Sequence, residues 1–213
     1  MSDGLDKKQI DSGINHLDNV TKKPSQTVFQ PRQVLVFSGH MVDAPDRPIP
    51  RFPLDKTAIV DAEISHVLDS LGANHEDFAF TQGAGGGDLI FAGQCQSRNV
   101  ILQFLQPFPE PEFIARSVLA SQGSWLDCYN TIRKKMNQPV LCMPALVSED
   151  ENPFEACNLW ILNTALAYGP EKVRFICLWN GDSGDGAGGT AHMVEQVKKN
   201  DGEVVWLDTR RLW

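Results

Sequence analysis

The sequence predicts one α/β domain built in three layers, with helices on both faces of a mostly parallel sheet of about six strands. Three observations carry this. Six short apolar runs alternate with helix-period segments between residues 33 and 208. The runs are nearly continuous in hydrophobicity and rich in Val, Ile and Phe, as strands covered on both faces are. Repeated strand–helix–strand order requires crossover connections, which belong to parallel sheets rather than hairpins.

The elements follow in order. Residues 1–31 read as a flexible polar arm with a weak helical pattern at Ile10, Ile14 and Leu17, and residues 32–213 as the domain. The first strand is VLVFS (34–38), followed by a proline-rich loop holding Asp46, Arg47, Arg51 and Pro53. A helix over 55–71 has Val60, Ile64, Val67 and Leu71 on one stripe, Asp55 as N-cap and Gly72 as stop. Next come strand FAFTQ (78–82), a glycine run, the helix LIFAGQC, strand VILQFL (100–105) and a helical stretch with Phe113, Arg116, Ser117, Trp125 and Tyr129. Strand VLCM (140–143) precedes a helix over 153–168, for which Asn152 caps, Pro153 sits first and Glu155 third. Strand VRFICLW (173–179), a second glycine run, a helix with Val194 and Val197, and strand VVWL (204–207) complete the chain.

Bulk properties exclude several classes. The hydrophobic share is 42% and the charged share 22%, enough for a real core. No apolar run approaches a membrane span of roughly 18 residues, and the first residues lack a secretory signal, so no membrane partner is expected. The five cysteines are odd in number and never spaced CxxC, which reads as buried free thiols in a reducing cytoplasm. The histidines show no HExxH, so no metal site is expected. The net charge is −8, and the arm is neutral: Asp3, Asp6, Asp11 and Asp18 balance Lys7, Lys8, Lys22 and Lys23. The domain therefore carries the whole charge and offers no basic footprint for nucleic acid. A small anion would have to be held by local dipoles and a few cations.

In such sheets ligands sit beyond the carboxyl ends of the strands, where the strand order reverses. The corners there hold the candidate ligand-binding residues. The first is Ser38-Gly39-His40, a sharp turn with a hydroxyl and an imidazole that read equally as ligand groups or as a simple turn. Arg47 and Arg51 follow within reach of an anion over it. The second is Gly83-Ala84-Gly85-Gly86-Gly87-Asp88, whose amides would wrap a phosphate at a helix start, with Asp88 as N-cap or ribose ligand. The third adds Arg116 and Ser117. The fourth is Asn180-Gly181-Asp182 through Gly188-Gly189-Thr190, again an anion site or a capped helix start. Neither GxxxxGK[ST] nor a GxGxxG after the first strand occurs, which disfavours the ordinary P-loop and dinucleotide readings.

The segments FSGH (37–40), GAGGGDLIF (83–91) and GGT at a helix start (188–190) resemble the SLOG superfamily of Rossmann-like domains. That group includes the Lonely Guy phosphoribohydrolases, Smf-type DNA-processing proteins and nucleotide-sensing domains of bacterial defence and signalling systems. GAGGGD, its helix and VILQFLQPF are similar to the Smf and YspA-like branches. FPEPEFIARSV, Trp125, Tyr129 and WNGDSGDGAGGTA resemble a subgroup found beside cyclase and tetratricopeptide regions. The resemblance spans residues 33–208 and implies a nucleotide or nucleotide-derived ligand at these corners. Lonely Guy enzymes carry PGGxGTxxE. Here no proline leads the run, Met193 stands three past Thr190, and the nearest acid is Glu195, which points to a different helix face.

Three functions are therefore expected in this order. The first is a module that binds or senses a nucleotide-derived phosphorylated ligand, with no other cofactor. The second is a nucleoside monophosphate N-glycosidic hydrolase using Asp88, Arg116, Glu155 and Glu195. The third is a ligand-free interaction scaffold. Self-association is left open.

Overall fold

The computed structural model describes residues 29–144, 152–182 and 190–213. Its sheet has six strands, all parallel: β1 (Val34–Gly39), β2 (Phe78–Thr81), β3 (Ile101–Gln106), β4 (Leu141–Cys142), β5 (Val173–Trp179) and β6 (Glu203–Asp208). Their order is β4-β3-β2-β1-β5-β6. The chain winds outward from β1 to β4, then crosses back to β5, so the order reverses between β1 and β5. This is the three-layer Rossmann-like architecture that the alternating pattern predicts.

The apolar runs hide a strict period of two. Leu35, Phe37, Ala79, Leu102, Phe104, Ile176 and Leu178 face one layer of helices: α1 (Thr57–Ser70), α2 (Gly87–Ser97) and α4 (Trp125–Lys135). Val34, Val36, Phe78, Phe80, Leu105, Val173, Phe175 and Cys177 face the other, α5 (Pro153–Leu166) and α6 (Thr190–Lys199). Between β3 and α4 lie α3 (Glu110–Phe113) and a π-helical turn, Ile114–Val118, which tuck Phe113 and Val118 into the first layer. A last turn, α7 (Thr209–Leu212), follows β6, capped by Asp208, which accepts from the Arg210 N–H at 3.1 Å.

Helix ends follow the sequence in part. Asn152 caps α5 by accepting from the Phe154 N–H at 3.0 Å and donates to Glu155, so Glu155 belongs to the helix start. Gly72 takes a positive φ of 59° just past α1, as a stop signal should. Asp55 departs from expectation. It lies inside a 3₁₀ turn, Leu54–Lys56, that begins at Pro53, and it pairs with Lys56 instead of capping. Proline presets the turn two residues earlier than the aspartate would.

Of the arm, residues 1–28 lie outside the described residues. Phe29 is docked, edge-on to Phe78 at 6.3 Å. Arg32 forms two hydrogen bonds to the buried Asp77, at 3.0 and 2.8 Å. Three of the five cysteines (Cys95, Cys157, Cys177) are buried, Cys128 is half-buried, and Cys142 on the edge strand β4 is exposed, against the expectation for all five. Among the described residues no helix is long and apolar enough to cross a membrane.

Candidate functional site

The reversal between β1 and β5 brings the first and fourth corners side by side. Gly39 pairs with Leu178 in the parallel register, so Ser38-Gly39-His40 and Asn180-Gly181-Asp182 emerge next to each other. His40 ties them together. Its backbone N–H donates to the Leu178 carbonyl at 3.0 Å, and its Nε2 stands 3.2 Å from the Asn180 backbone nitrogen and 3.3 Å from the Asn180 side-chain oxygen. The ring's tautomer decides which of these two Asn180 groups Nε2 bonds. Burial first, and then the field of Arg51, pushes the imidazole down to about 4, against the weaker opposing pull of Asn180 and Asp43. At neutral pH His40 is therefore an uncharged hydrogen-bonding group and not a counter-ion.

The cations come from neighbouring loops. Asp43, nearly buried, accepts from the N–H groups of Arg51 (2.8 Å) and Phe52 (2.9 Å) and pairs with Arg47 at 3.3 Å. This folds the proline-rich loop back so that both arginines act on His40. On the other side Arg210 lies over Gly181, where an added Cβ would come within 2.7 Å of Nη2. Its guanidinium forms two bonds to Asp208, each 2.9 Å, and Arg211 adds a second cation at 3.5 Å. These charges hold the Asp208 carboxyl below its ordinary range, the Arg210 hydrogen bond most of all. Asp182 is exposed and accepts from the Asn180 side chain.

The glycine run serves a different purpose from the one expected. Its amides are largely spent inside the protein. Gly83 N and Ala84 N donate to Asp88 Oδ2 at 3.1 and 3.2 Å, Gly85 N to the Ser117 carbonyl at 2.8 Å, and Gly87 N to the His40 carbonyl at 3.3 Å. Val42 N donates to Gly85 O at 3.1 Å, and Ser121 Oγ to the same oxygen at 2.9 Å. Close approach explains the composition. Gly86 has φ 125°, and a Cβ there would lie 2.5 Å from Val42 N. At Gly39, Gly83, Gly85 and Gly87 a Cβ would meet a side-chain atom at 2.8 to 2.9 Å. The run welds the β1 loop and the π-helical turn to the start of α2.

Asp88 is not the cap of α2. Gly86 holds that position without a side-chain bond, and Asp88 sits two residues in, reaching back to brace the loop. Burial outweighs the loop's hydrogen bonds to the carboxylate, so the carboxyl is pushed up to about 6. Beneath the loop, Gln106 Nε2 donates to the Gln82 carbonyl and to the Tyr129 hydroxyl, both at 3.1 Å, and Tyr129 donates to Glu110 at 2.8 Å. Burial raises the Tyr129 hydroxyl above its usual range. Trp125 and Tyr129 are core residues of α4.

Among the remaining candidates, Arg116 and Glu195 have partners of their own. Ser117 is fully buried in the π-helical turn. Arg116 stacks on Phe108 at 4.6 Å and pairs with Glu112 at 2.8 Å, in the first helix layer. Glu195 lies in the opposite layer, exposed on α6 and 3.9 Å from Lys199. Thr190 opens α6. Gly188 and Gly189 lie outside the described residues. Each of the four acid, base and clamp candidates is bonded elsewhere: Asp88 to the glycine loop, Arg116 to Glu112, Glu155 to Asn152 and Glu195 to Lys199. Arg210 and Arg211 are the residues the sequence reading passed over. The available signal was Asp208 at the end of the sixth strand, a capping residue followed by two arginines at the same sheet edge. Among the described residues no cluster of His, Cys, Asp and Glu is arranged to hold a metal ion.

Neither a family model nor a curated protein matches this chain.

Proposed function

We propose that the protein binds a phosphorylated, nucleotide-derived ligand at the β1/β5 switch point. The carrying observation is the strand-order reversal with two polar corners at its carboxyl edge, flanked by Arg47 and Arg51 on one side and Arg210 and Arg211 on the other. In a chain of net charge −8 such clustering gives an anion one local place to sit. Arg210 meets the phosphate as a donor fork. The Ser38 hydroxyl and the uncharged His40 ring add neutral polar groups. The Asp182 carboxylate accepts from ribose hydroxyls. The likeness of FSGH and GAGGGD to the SLOG superfamily supports the same ligand class, with the glycine run as framework and not as phosphate cradle. Binding is favoured over N-glycosidic cleavage because the four candidate acid, base and clamp residues are each bonded to partners outside the set.

Thermal denaturation against nucleoside mono- and diphosphates, cyclic nucleotides, ADP-ribose and ribose 5-phosphate tests this. A ligand at a hundred times its Kd adds about 2.7 kcal/mol, which for a chain of this size raises Tm by roughly 5 to 10 °C. If no phosphorylated compound raises Tm, the reading fails. Release of free base from a nucleoside monophosphate would establish turnover in its place.

A further inference from the structure

An exposed tryptophan pair adjoins the corner. β6 is an edge strand, and Trp206 on it is 46% exposed. Trp206 follows Val204 on the α6 face, and Trp179 follows Phe175 and Cys177 on the same face. The two rings stand 5.5 Å apart at 36°. Trp206 Nε1 donates to the Trp179 carbonyl at 2.9 Å, which fixes the indole's orientation. One side chain links this pair to the proposed ligand site. The Arg210 guanidinium lies 5.8 Å from the Trp206 ring centroid, is held in place by Asp208, and rests over Gly181. An anionic group received at Arg210 thus has a preset aromatic surface within the span of one nucleotide.

We infer that Trp206, braced by Trp179, is the surface on which the base of the bound nucleotide stacks, while Arg210 joins the stacking surface to the phosphate-receiving corner. The inference rests on the nucleotide reading of that corner. Stacking of a base on an indole is sequence-tolerant, because every base offers a π face. Discrimination among bases therefore comes from other groups, and affinity from Trp206.

The test compares AMP, GMP, CMP and UMP with ribose 5-phosphate, which keeps the sugar and phosphate and lacks the base. Calorimetric titration is run on wild type, Trp206→Ala and Trp206→Phe. Trp206→Ala should weaken the nucleoside monophosphates about ten- to a hundredfold and leave ribose 5-phosphate unchanged. Trp206→Phe should restore most of the loss, since a phenyl face still stacks. Equal nucleotide affinity in wild type and Trp206→Ala overturns the inference, and so does an equal loss for ribose 5-phosphate. If no probe binds wild type, the reading of the corner fails and takes the inference with it. If ribose 5-phosphate and the nucleotides bind wild type equally, the corner stands and the stacking surface alone is refuted.

Discussion

Replacing Asp88 by Asn removes one buried titrating proton while keeping an oxygen for the Gly83 and Ala84 amides. The carboxyl titrates near 3.8 in the unfolded chain and near 6 in the fold. A folded value raised in this way adds stability that is fully present below 3.8 and is lost as pH rises through about 6. At about 1.4 kcal/mol per unit the whole loss is about 3 kcal/mol. Linkage assigns about 1.4 kcal/mol of it to the window from about pH 5 to about pH 8. Urea denaturation of wild type and Asp88→Asn, followed by tryptophan fluorescence across that window, reads the difference. The variant should gain about 1.4 kcal/mol on wild type between the two ends. A gap that stays level, or that moves toward wild type as pH rises, would show that Asp88 ionises at its ordinary value and that burial beneath the glycine run does not govern it.

His40→Gln should behave in the opposite sense. An imidazole lowered from 6.5 to about 4 contributes stability above 6.5 that is lost as pH falls toward 4, so the variant should recover about 2 kcal/mol relative to wild type between pH 8 and 5 in the same denaturation series. Gly86→Ala should cost about 3 kcal/mol or more, because φ is 125° and the new methyl meets backbone at 2.5 Å. Gly93→Ala should instead stabilise by about 1 kcal/mol: the position lies inside α2 and an added methyl meets nothing within 4 Å. Urea midpoints check both. Arg210→Ala should weaken any phosphorylated ligand by about tenfold or more, measured by calorimetric titration.

The fold was legible because β1, β2, β3 and β5 are buried on both faces, so their apolar runs stand out against helices with period-3.6 stripes. Strand β4 shrinks to two residues at the sheet edge, where little burial holds VLCM in place. The corners were legible as places, because residues at the ends of parallel strands gather at one edge whatever their partners. Their roles were less so. A glycine run that cradles phosphate and one that lets a loop weld to its neighbours look alike in sequence, since both need small residues. The close approaches around the run separate them: Phe104 to Gly83, Ser121 to Gly85, Val42 to Gly86 and Phe37 to Gly87. Asp88 has the position of a helix-start acid, but the loop's own amides reach it first. Arg210 was hidden for a different reason. It acts across the sheet from Gly181, some 30 positions earlier, and no local pattern links the two.

The central claim is that a phosphorylated ligand sits where the strand order reverses. A crystal structure of the protein soaked with a nucleoside monophosphate tests it most directly. The account predicts phosphate density against Arg210 and the Asn180–Asp182 corner, with the ribose hydroxyls at Asp182. Density confined to another face of the domain, or at the outer surface beside Arg116, would contradict it.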